Sequence, residues 1–407
     1  MSCPKRKGRH VPVLSYGVLS TYPPTQCGLA TFTRSLVESI AMDSDIVSAP
    51  GNCDRPSSEG ADSVGVVALV DAVSETAPVG VVHQWVRSAR KGATAAAAVL
   101  NRHDVVVIQH EYGIFGGRDG SDVLEIVRAL RVPTISVFHT VLVTPTAHQR
   151  MILEKLAEAT TAIVTMTHTA RQRLIDHYSV DPTKIRVIPH GAADIRSQPT
   201  DPHQPITRTP VILTWGLLGE GKGIEWAIDA MALIADLRPA ALYRVVGQTH
   251  PKVAERQGDS YRAGLIARAQ RRGVAHAVHF DARYLDQAEL RRLIRQADVV
   301  LLPYDSREQV TSGVLIEAVA AGKPVISTAF PHAMELLSTG AGLLVDRQDP
   351  SAIASALRLV LTEPHLSARM SAEANRIAPE LFWPAIGRKY RELATEMHDI
   401  DSVMASA

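Results

Sequence analysis

Two stretches in the C-terminal half combine residue types that can hold a phosphorylated ligand. The first is Gln309 to Gly322, QVTSGVLIEAVAAG, set between the apolar runs VVLLPY (Val299 to Tyr304) and KPVIST (Lys323 to Thr328). Both runs read as buried parallel strands. Thr311 and Ser312 carry hydroxyls suited to accept the orphan N–H bonds of a first helical turn. Gly313 lets another group approach the backbone closely. Val314 to Ala321 predicts a buried helix, closed by Gly322 in the left-handed cap position. A helix that begins at a strand end turns free N–H groups and the positive end of its dipole toward a ligand, an arrangement suited to phosphate. Glu317 lies one turn into this apolar helix, where an unpaired charge would be costly.

The second stretch is Gly216 to Gly223, GLLGEGKG, with four glycines and one lysine between a predicted strand, Val211 to Trp215, and a helix that starts at Ile224. Gly223 follows the Gly-Lys pair where a nucleoside-triphosphatase loop carries Ser or Thr. No hydroxyl is therefore supplied for magnesium, and that class is disfavoured. Lys222 can bring a point charge to a diphosphate; its bland alternative is a solvated lysine in a turn. Lys222 and the helix start at Gly313 together suit the two ends of a diphosphate. Glu317 could then accept hydrogen bonds from a ribose diol, the task of an acidic residue in dinucleotide sites. A nucleotide diphosphate joined to another group is the natural ligand.

In the N-terminal half, four successive strands end at or beside a histidine: His110, His139, His168 and His190. Ligands of doubly wound sheets bind beyond the carboxyl ends of the strands, so these side chains predict one shared polar cleft. They lie tens of residues apart without metal-ligand spacing, and no metal site is read from them. Glu111 follows His110, and the four glycines within Gly113 to Gly120 suggest a flexible loop over the cleft. Gly28, between a strand over Val11 to Val18 and the amphipathic ATFTRSLVESIA, is a weak phosphate-loop signal that serves equally as a plain strand–helix turn.

These residues must be positioned by alternating strands and helices. Further strands are predicted at Ser63 to Val70, Val105 to Gln109, Thr134 to Phe138, Ala162 to Met166, Ile185 to Ile188, Leu242 to Val246, Val278 to Phe280 and Leu343 to Val345. Helices are predicted at Ser88 to Leu100, Ser121 to Leu130, Ser260 to Arg272, Leu285 to Ala297, Ser351 to Leu361 and Trp383 to His398. The fold class is α/β, with two doubly wound domains, since 407 residues exceed one ordinary core. Residues 1–10 form a basic tail, 11–200 the first domain and 208–380 the second. The linker falls in the polar, Pro-containing segment Asp194 to Pro210. Asn52 to Gly60 is a polar loop.

Composition narrows the function. A hydrophobic share of 46% with 21% charged residues is that of a soluble globular chain. A net charge of +1 argues against a dedicated nucleic-acid binder. Cys3, Cys27 and Cys53 show neither a disulfide framework nor metal-ligand spacing, which suits a reducing cytoplasm. No apolar run approaches the roughly 18 residues of a membrane span. The tail MSCPKRKGRH has no apolar segment behind it and is not read as a signal peptide; weak peripheral membrane contact is the most it offers.

With these residues in view, the chain resembles the GT-B glycosyltransferases, in particular the large retaining family numbered four (glycosyl transferases group 1). The resemblance rests on Gly28, His139 in FHT, PHG at 189–191, GEGKG at 219–223 and GVLIEAVAAGKPVIST at 313–328, with FWPAIGRKYREL resembling the helix that crosses back onto the first domain. It implies two Rossmann-like domains facing a central cleft, with the acceptor held by the first and a nucleotide-sugar donor by the second. It implies donor contacts from Gly28, Gly216, Lys222, Arg283, Leu285, Ser312, Gly313, Val314 and Glu317, with Lys222 on the diphosphate, Glu317 on the ribose and the base near Arg283 to Leu285. It places His139 near the reacting sugar carbon and His110, Glu111, His168 and His190 toward the acceptor. The chemistry it implies is transfer with retention, without a metal or other cofactor, in which the leaving phosphate helps to deprotonate the acceptor. Catalytic contributions fall to His139, Lys222 and Gln309.

This sequence departs from the family pattern twice. Gln309 stands where a first glutamate is usual, with Glu308 beside it; an amide still hydrogen-bonds sugar hydroxyls but carries no charge. Leu217 stands where an arginine often follows the glycine, which leaves the diphosphate charge to Lys222, helix dipoles and another cation such as Arg283 or Arg307. The resemblance places GDP-mannose ahead of UDP-glucose as donor, and an oligosaccharide, glycolipid head group or small polyol as acceptor, in polysaccharide biosynthesis. Two alternatives stand beside this reading: a glycoside phosphorylase on the same fold, and a non-catalytic nucleotide-sugar-binding protein motivated by Gln309 and Leu217. An epimerase is disfavoured, because no pair of acidic residues is placed for proton abstraction.

Overall fold

The computed structural model describes residues 13–41, 62–87, 89, 92–196 and 209–405. The basic tail, the loop at 52–60 and most of the linker lie outside the described residues. The chain forms two compact units. The first comprises Met1–Thr165, Arg171–Ile188 and Trp383–Ala407, and the second Met166–Ala170 and Pro189–Phe382.

The first unit is built on seven strands: β1 (Ser15–Ser20), β2 (Ser63–Val70), β3 (Val81–Val86), β4 (Val105–His110), β5 (Thr134–Phe138), β6 (Ala162–Thr165) and β7 (Ile185–Val187). Their order is β3-β2-β1-β4-β5-β6-β7, and every neighbouring pair is parallel. Parallel strands are covered on both faces, which is why β4, β5 and β6 are buried throughout and read as predominantly apolar runs. The helices are α1 (Gly28–Ala41), α2 (Gly92–Leu100), α3 (Val123–Ala129), α4 (Ala147–Ala159) and α5 (His168–His177), the last belonging to this unit from Arg171 onward.

The second unit carries six strands: β8 (Val211–Trp215), β9 (Leu242–Val246), β10 (Val278–Asp281), β11 (Val299–Leu302), β12 (Val325–Thr328) and β13 (Gly342–Val345). Their order is β10-β9-β8-β11-β12-β13, again all parallel. The helices are α6 (Ile224–Leu233), α7 (Pro251–Gln257), α8 (Ser260–Arg271), α9 (Gln287–Gln296), α10 (Gly313–Ala320), α11 (Pro331–Leu337), α12 (Pro350–Thr362) and α13 (Pro364–Ile377). In each sheet the strand order reverses direction once, between β1 and β4 and between β8 and β11. Loops at such a switch point diverge and leave room for a ligand.

The last helix, α14 (Trp383–Ala405), belongs to the first unit and lies on α1. The approach is close: a Cβ on Gly387 would collide with the Ser39 carbonyl oxygen. Arg391 Nη1 donates to the Ser39 and Ile40 carbonyls at 2.9 and 3.1 Å, closing the otherwise unpaired end of α1.

Several elements go beyond the sequence expectations. Edge strand β3 is mostly half-exposed and lacks clean alternation, so no period marks it. Helix α4 has a legible start, because Thr146 and Gln149 form a capping box. Helix α5 is capped from afar: the N–H groups of His168 and Thr169 donate to the Glu335 carboxylate at 2.8 and 2.9 Å. Among the described residues no helix is long and apolar enough to cross a membrane.

Candidate functional site

The loops after β8 and β11 meet at the switch point of the second unit. A Cβ on Gly223 (φ +64°) would collide with the Pro303 carbonyl oxygen, so only glycine lets the two loops close. The Asp305 N–H donates to the Gly221 carbonyl at 2.9 Å, and Trp226 Nε1 donates to Asp305 Oδ2 at 3.1 Å. Gly221 (φ +84°) faces open space, with nothing within 4 Å of an added Cβ. The positive φ and the missing side chain together keep the backbone accessible.

Lys222 is carried by this frame. Its Nζ sits 4.2 Å from the centroid of the Tyr304 ring, and Tyr304 in turn stacks on Phe330 at 5.5 Å. The ring face attracts the ammonium and fixes it in place. Among the described residues Lys222 makes no ion pair, and burial lowers its pKa to about 8. Lys222 is thus half-buried against an aromatic face, and the solvated-turn alternative does not describe it.

Helix α10 begins beside this loop; a Cβ on Gly216 would meet Val314 Cγ2 at 3.7 Å. Ser312 is its N-cap, with Oγ accepting from the Leu315 N–H at 3.3 Å. The Ser312 N–H donates to His332 Nδ1 at 2.8 Å. Of the first-turn groups, the N–H of Gly313 and Val314 have no acceptor among the described residues. The space facing Gly313 is taken by His190, whose Nε2 would lie 3.0 Å from a Cβ there. His190 Nδ1 donates to the Gly191 carbonyl at 2.7 Å, and burial lowers the pKa of the ring to about 4, so it is neutral at pH 7.

Glu317 is half-buried, and its Oε2 accepts from Trp215 Nε1 at 3.1 Å. Burial pushes its carboxyl up, against the opposing effects of that bond and of the Arg291 charge. Trp215 and Tyr304 close the ends of β8 and β11 and went unread in the sequence as site residues. Three buried polar atoms of the β11 loop, Tyr304 Oη, Asp305 Oδ1 and Thr311 Oγ1, have no hydrogen-bond partner among the described residues. Such atoms are rare in native interiors and gather where an outside group completes the bonding.

Other sequence candidates are placed differently. Arg283 is exposed and already bonded to Asp281 and Glu289 at 2.6 and 2.8 Å, so it offers no unpaired charge in place of the arginine missing at Leu217. Leu285 packs half-buried on the apolar core that includes Trp215 and Val246. Gln309 Nε2 donates to the Thr311 carbonyl at 3.0 Å, which holds its amide nitrogen within its own loop.

The four strand-end histidines are divided between the two units. His168 and His190 belong to the second unit, and His110 and His139 to the first. His110 faces no open cleft: it is fully buried, bedded against Tyr112, Phe115 and Phe138, with its pKa lowered to about 4 by burial. His139 Nε2 is hydrogen-bonded to Gln109 Oε1 at 2.6 Å, and the ring meets Phe32 edge-on at 4.9 Å. Glu111 accepts from the Thr140 hydroxyl at 2.5 Å and from the Tyr112 N–H at 3.1 Å. Gly28 opens α1, and an added Cβ would meet nothing within 4 Å. The loop at 113–120 is closely packed at two of its glycines: a Cβ on Gly116 would collide with the Arg87 carbonyl oxygen, and one on Gly120 would lie 2.8 Å from the Tyr112 carbonyl oxygen.

Sequence models of two related families match the chain. The one described as glycosyl transferases group 1 covers residues 198–377, and the one described as glycosyltransferase family 4 covers residues 32–194. The chain belongs to the group 1 glycosyl transferases. Its fold is GT-B, the fold of an Anabaena HepE protein crystallised with UDP and glucose (TM-score 0.71, 16% identity, 94% of this chain and 99% of that one). The glycosyltransferase WaaG, involved in lipopolysaccharide biosynthesis, is also similar (TM-score 0.61, 18% identity, 94% and 99%). Among named relatives, the D-inositol 3-phosphate glycosyltransferase of Corynebacterium glutamicum is 29% identical over 65% of this chain and 66% of its own length. The one from Streptomyces scabiei is 30% identical over 63% and 59%. The chain therefore spans less than two thirds of the length of these relatives.

Proposed function

We propose that this protein transfers a hexose from a nucleotide-diphosphate sugar to a hydroxyl acceptor, with retention at the sugar carbon. The observation that carries the reading is Lys222, a half-buried ammonium that makes no ion pair among the described residues and is held on the Tyr304 ring, on a loop that approaches the start of α10 at Gly216 and Val314. A diphosphate would supply the anion this arrangement lacks, and Glu317 would take the ribose. As the bond from the sugar carbon to the diphosphate breaks, negative charge builds on the leaving phosphate. Lys222 and the Gly313 and Val314 N–H groups would stabilise it without reorganising. The acceptor oxygen attacks the same face, and its proton passes to a leaving phosphate oxygen. We assign the acceptor to the first unit and a contribution to turnover to His139, with Gln309 hydrogen-bonding sugar hydroxyls through its side-chain oxygen.

GDP-mannose and UDP-glucose are the two donors to compare. The subgroup pattern around Gln309 favours the first, and the similarity to a protein crystallised with UDP and glucose favours the second. The names of the relatives add an inositol phosphate to the sugars, glycolipids and polyols to be tried as acceptor. The cysteine usage suits a cytoplasmic setting. The test is a thermal-shift screen of GDP, UDP, ADP and their sugars, followed by diphosphate release with acceptors. Sugar phosphate formed from a disaccharide and inorganic phosphate would instead establish a phosphorylase. Donor binding without turnover by any acceptor would establish a sensor, which the engaged amide of Gln309 makes worth testing.

A further inference from the structure

We infer that His332 is a positioning residue for the phosphate-binding end of α10, selecting the N–H groups that reach the donor. The inference rests on the donor-site reading above. His332 lies in the first turn of α11, 3% exposed, after Pro331 has started that helix. It touches the loop before α10 at two points. Its Nδ1 accepts the Ser312 N–H at 2.8 Å, and its own backbone N–H donates to the Gln309 carbonyl at 3.4 Å. Gln309 returns a bond from Nε2 to the Thr311 carbonyl at 3.0 Å. One residue of a separate helix thus ties down both ends of residues 309–312, Ser312 through its side chain and Gln309 through its backbone.

The chemistry of the ring sets the outcome. Nδ1 can accept only while unprotonated, so the neutral ring carries its proton on Nε2. Burial keeps it neutral, lowering its pKa to about 4. Ser312 Oγ is spent on the Leu315 N–H and the Ser312 N–H on His332, which leaves the Gly313 and Val314 N–H groups pointing out of the first turn. Without His332, the Ser312 N–H would be unpaired in a buried place and the loop would turn to satisfy it. The two open N–H groups would then lose their aim. A merely structural histidine would lower the melting temperature without separating phosphate from nucleoside.

The test is calorimetric titration of the full chain with UDP and GDP, and with uridine and guanosine as phosphate-free controls. His332→Ala is expected to weaken diphosphate binding about tenfold, one lost directed hydrogen bond, and to leave nucleoside binding unchanged. His332→Asn places an amide oxygen where Nδ1 lies and is expected to restore affinity to within about threefold, whereas His332→Gln, which reaches toward Nε2, is expected to behave like alanine. The Asn and Gln proteins differ by one methylene and are compared at matched melting temperature, so the test survives if the alanine protein does not fold. Equal affinities of the Asn and Gln proteins, or equal losses for nucleoside and diphosphate, overturn the inference. Lys222→Ala is the reference. If it weakens diphosphate binding while the His332 series does not, only this inference fails; if Lys222→Ala binds normally, the donor-site reading fails with it.

Discussion

The loops at 113–120 and 216–223 each carry four glycines and follow a central strand, yet they use glycine for opposite purposes. In the first unit, Gly116, Gly117 and Gly120 are filled spaces. Side chains there would strike the Arg87 carbonyl, the Ser121 hydroxyl and Asp122 carboxylate, and the Tyr112 carbonyl. In the second unit, Gly221 borders open space and Gly223 makes room for the neighbouring loop. In the first loop protein fills the space beside three of its glycines; in the second it fills the space at Gly223 and leaves Gly221 open. A count of glycines cannot tell packing from access; the atoms opposite each Cα can.

The largest expected effect tests the open loop. Lys222→Ala should weaken nucleotide-diphosphate binding about 100-fold, the scale of a lost charge-assisted bond to phosphate, with no loss of melting temperature. Calorimetry and thermal melting check both parts, and normal binding would remove the functional half of the contrast. Gly116→Ala should act in the other sense. Its Cβ collides with backbone, so about 2–3 kcal/mol of stability should be lost in denaturant unfolding with diphosphate affinity kept in the folded fraction. Glu317→Ala should weaken binding of nucleotides with a ribose diol about tenfold and that of their 2′,3′-dideoxy analogues far less. Gly221→Ala is the finest probe: it adds strain at φ +84° without a clash and should cost about 1 kcal/mol.

Titration sharpens the same contrast. Lys222 loses its charge as pH rises through about 8, so diphosphate affinity should fall from pH 7 to 9.5, and Lys222→Arg should flatten the profile. Stability of the free protein should move oppositely. Between about 8 and the ordinary lysine value the unfolded chain binds the extra proton, so stability gains from this group as pH rises. His110, His190 and His332 are held neutral to about pH 4, whereas in the unfolded chain they protonate near 6.5. Their contribution is full above about 6.5 and is lost as pH falls from there toward 4, which melting curves across that range would follow.

The strands and the two site segments were legible because their signals are local. A parallel strand buried on both faces is a continuous apolar run, and β5, β8 and β9 fall on the predicted residues. Ser312 could be recognised as a cap, and Lys222 among glycines as a cation for phosphate, from residue type and spacing alone. The helix start at Glu335-capped α5 was not legible, because its partner lies more than 160 residues away. Nor was the burial of His110, since a histidine at a strand end points into a core or out of it according to what packs there.

The sequence by itself thus determined the two α/β sheets, the family, and the segments at Gly216 to Gly223 and Gln309 to Gly322 as candidates for a diphosphate. The sheets and the two segments follow from periodicity, capping chemistry or backbone freedom, which act over a few residues, and the family from the resemblance of its motifs. Only the tertiary structure decided that Tyr304 carries the Lys222 ammonium, that Trp215 holds Glu317, that Arg283 is already paired, and that His332 binds the Ser312 N–H. These are contacts across strands and helices, set by how elements pack, and no local pattern encodes which side chain will arrive. The stretch from Gln309 to Gly322 supplies the N–H groups; a histidine from the next helix limits which of them remain open.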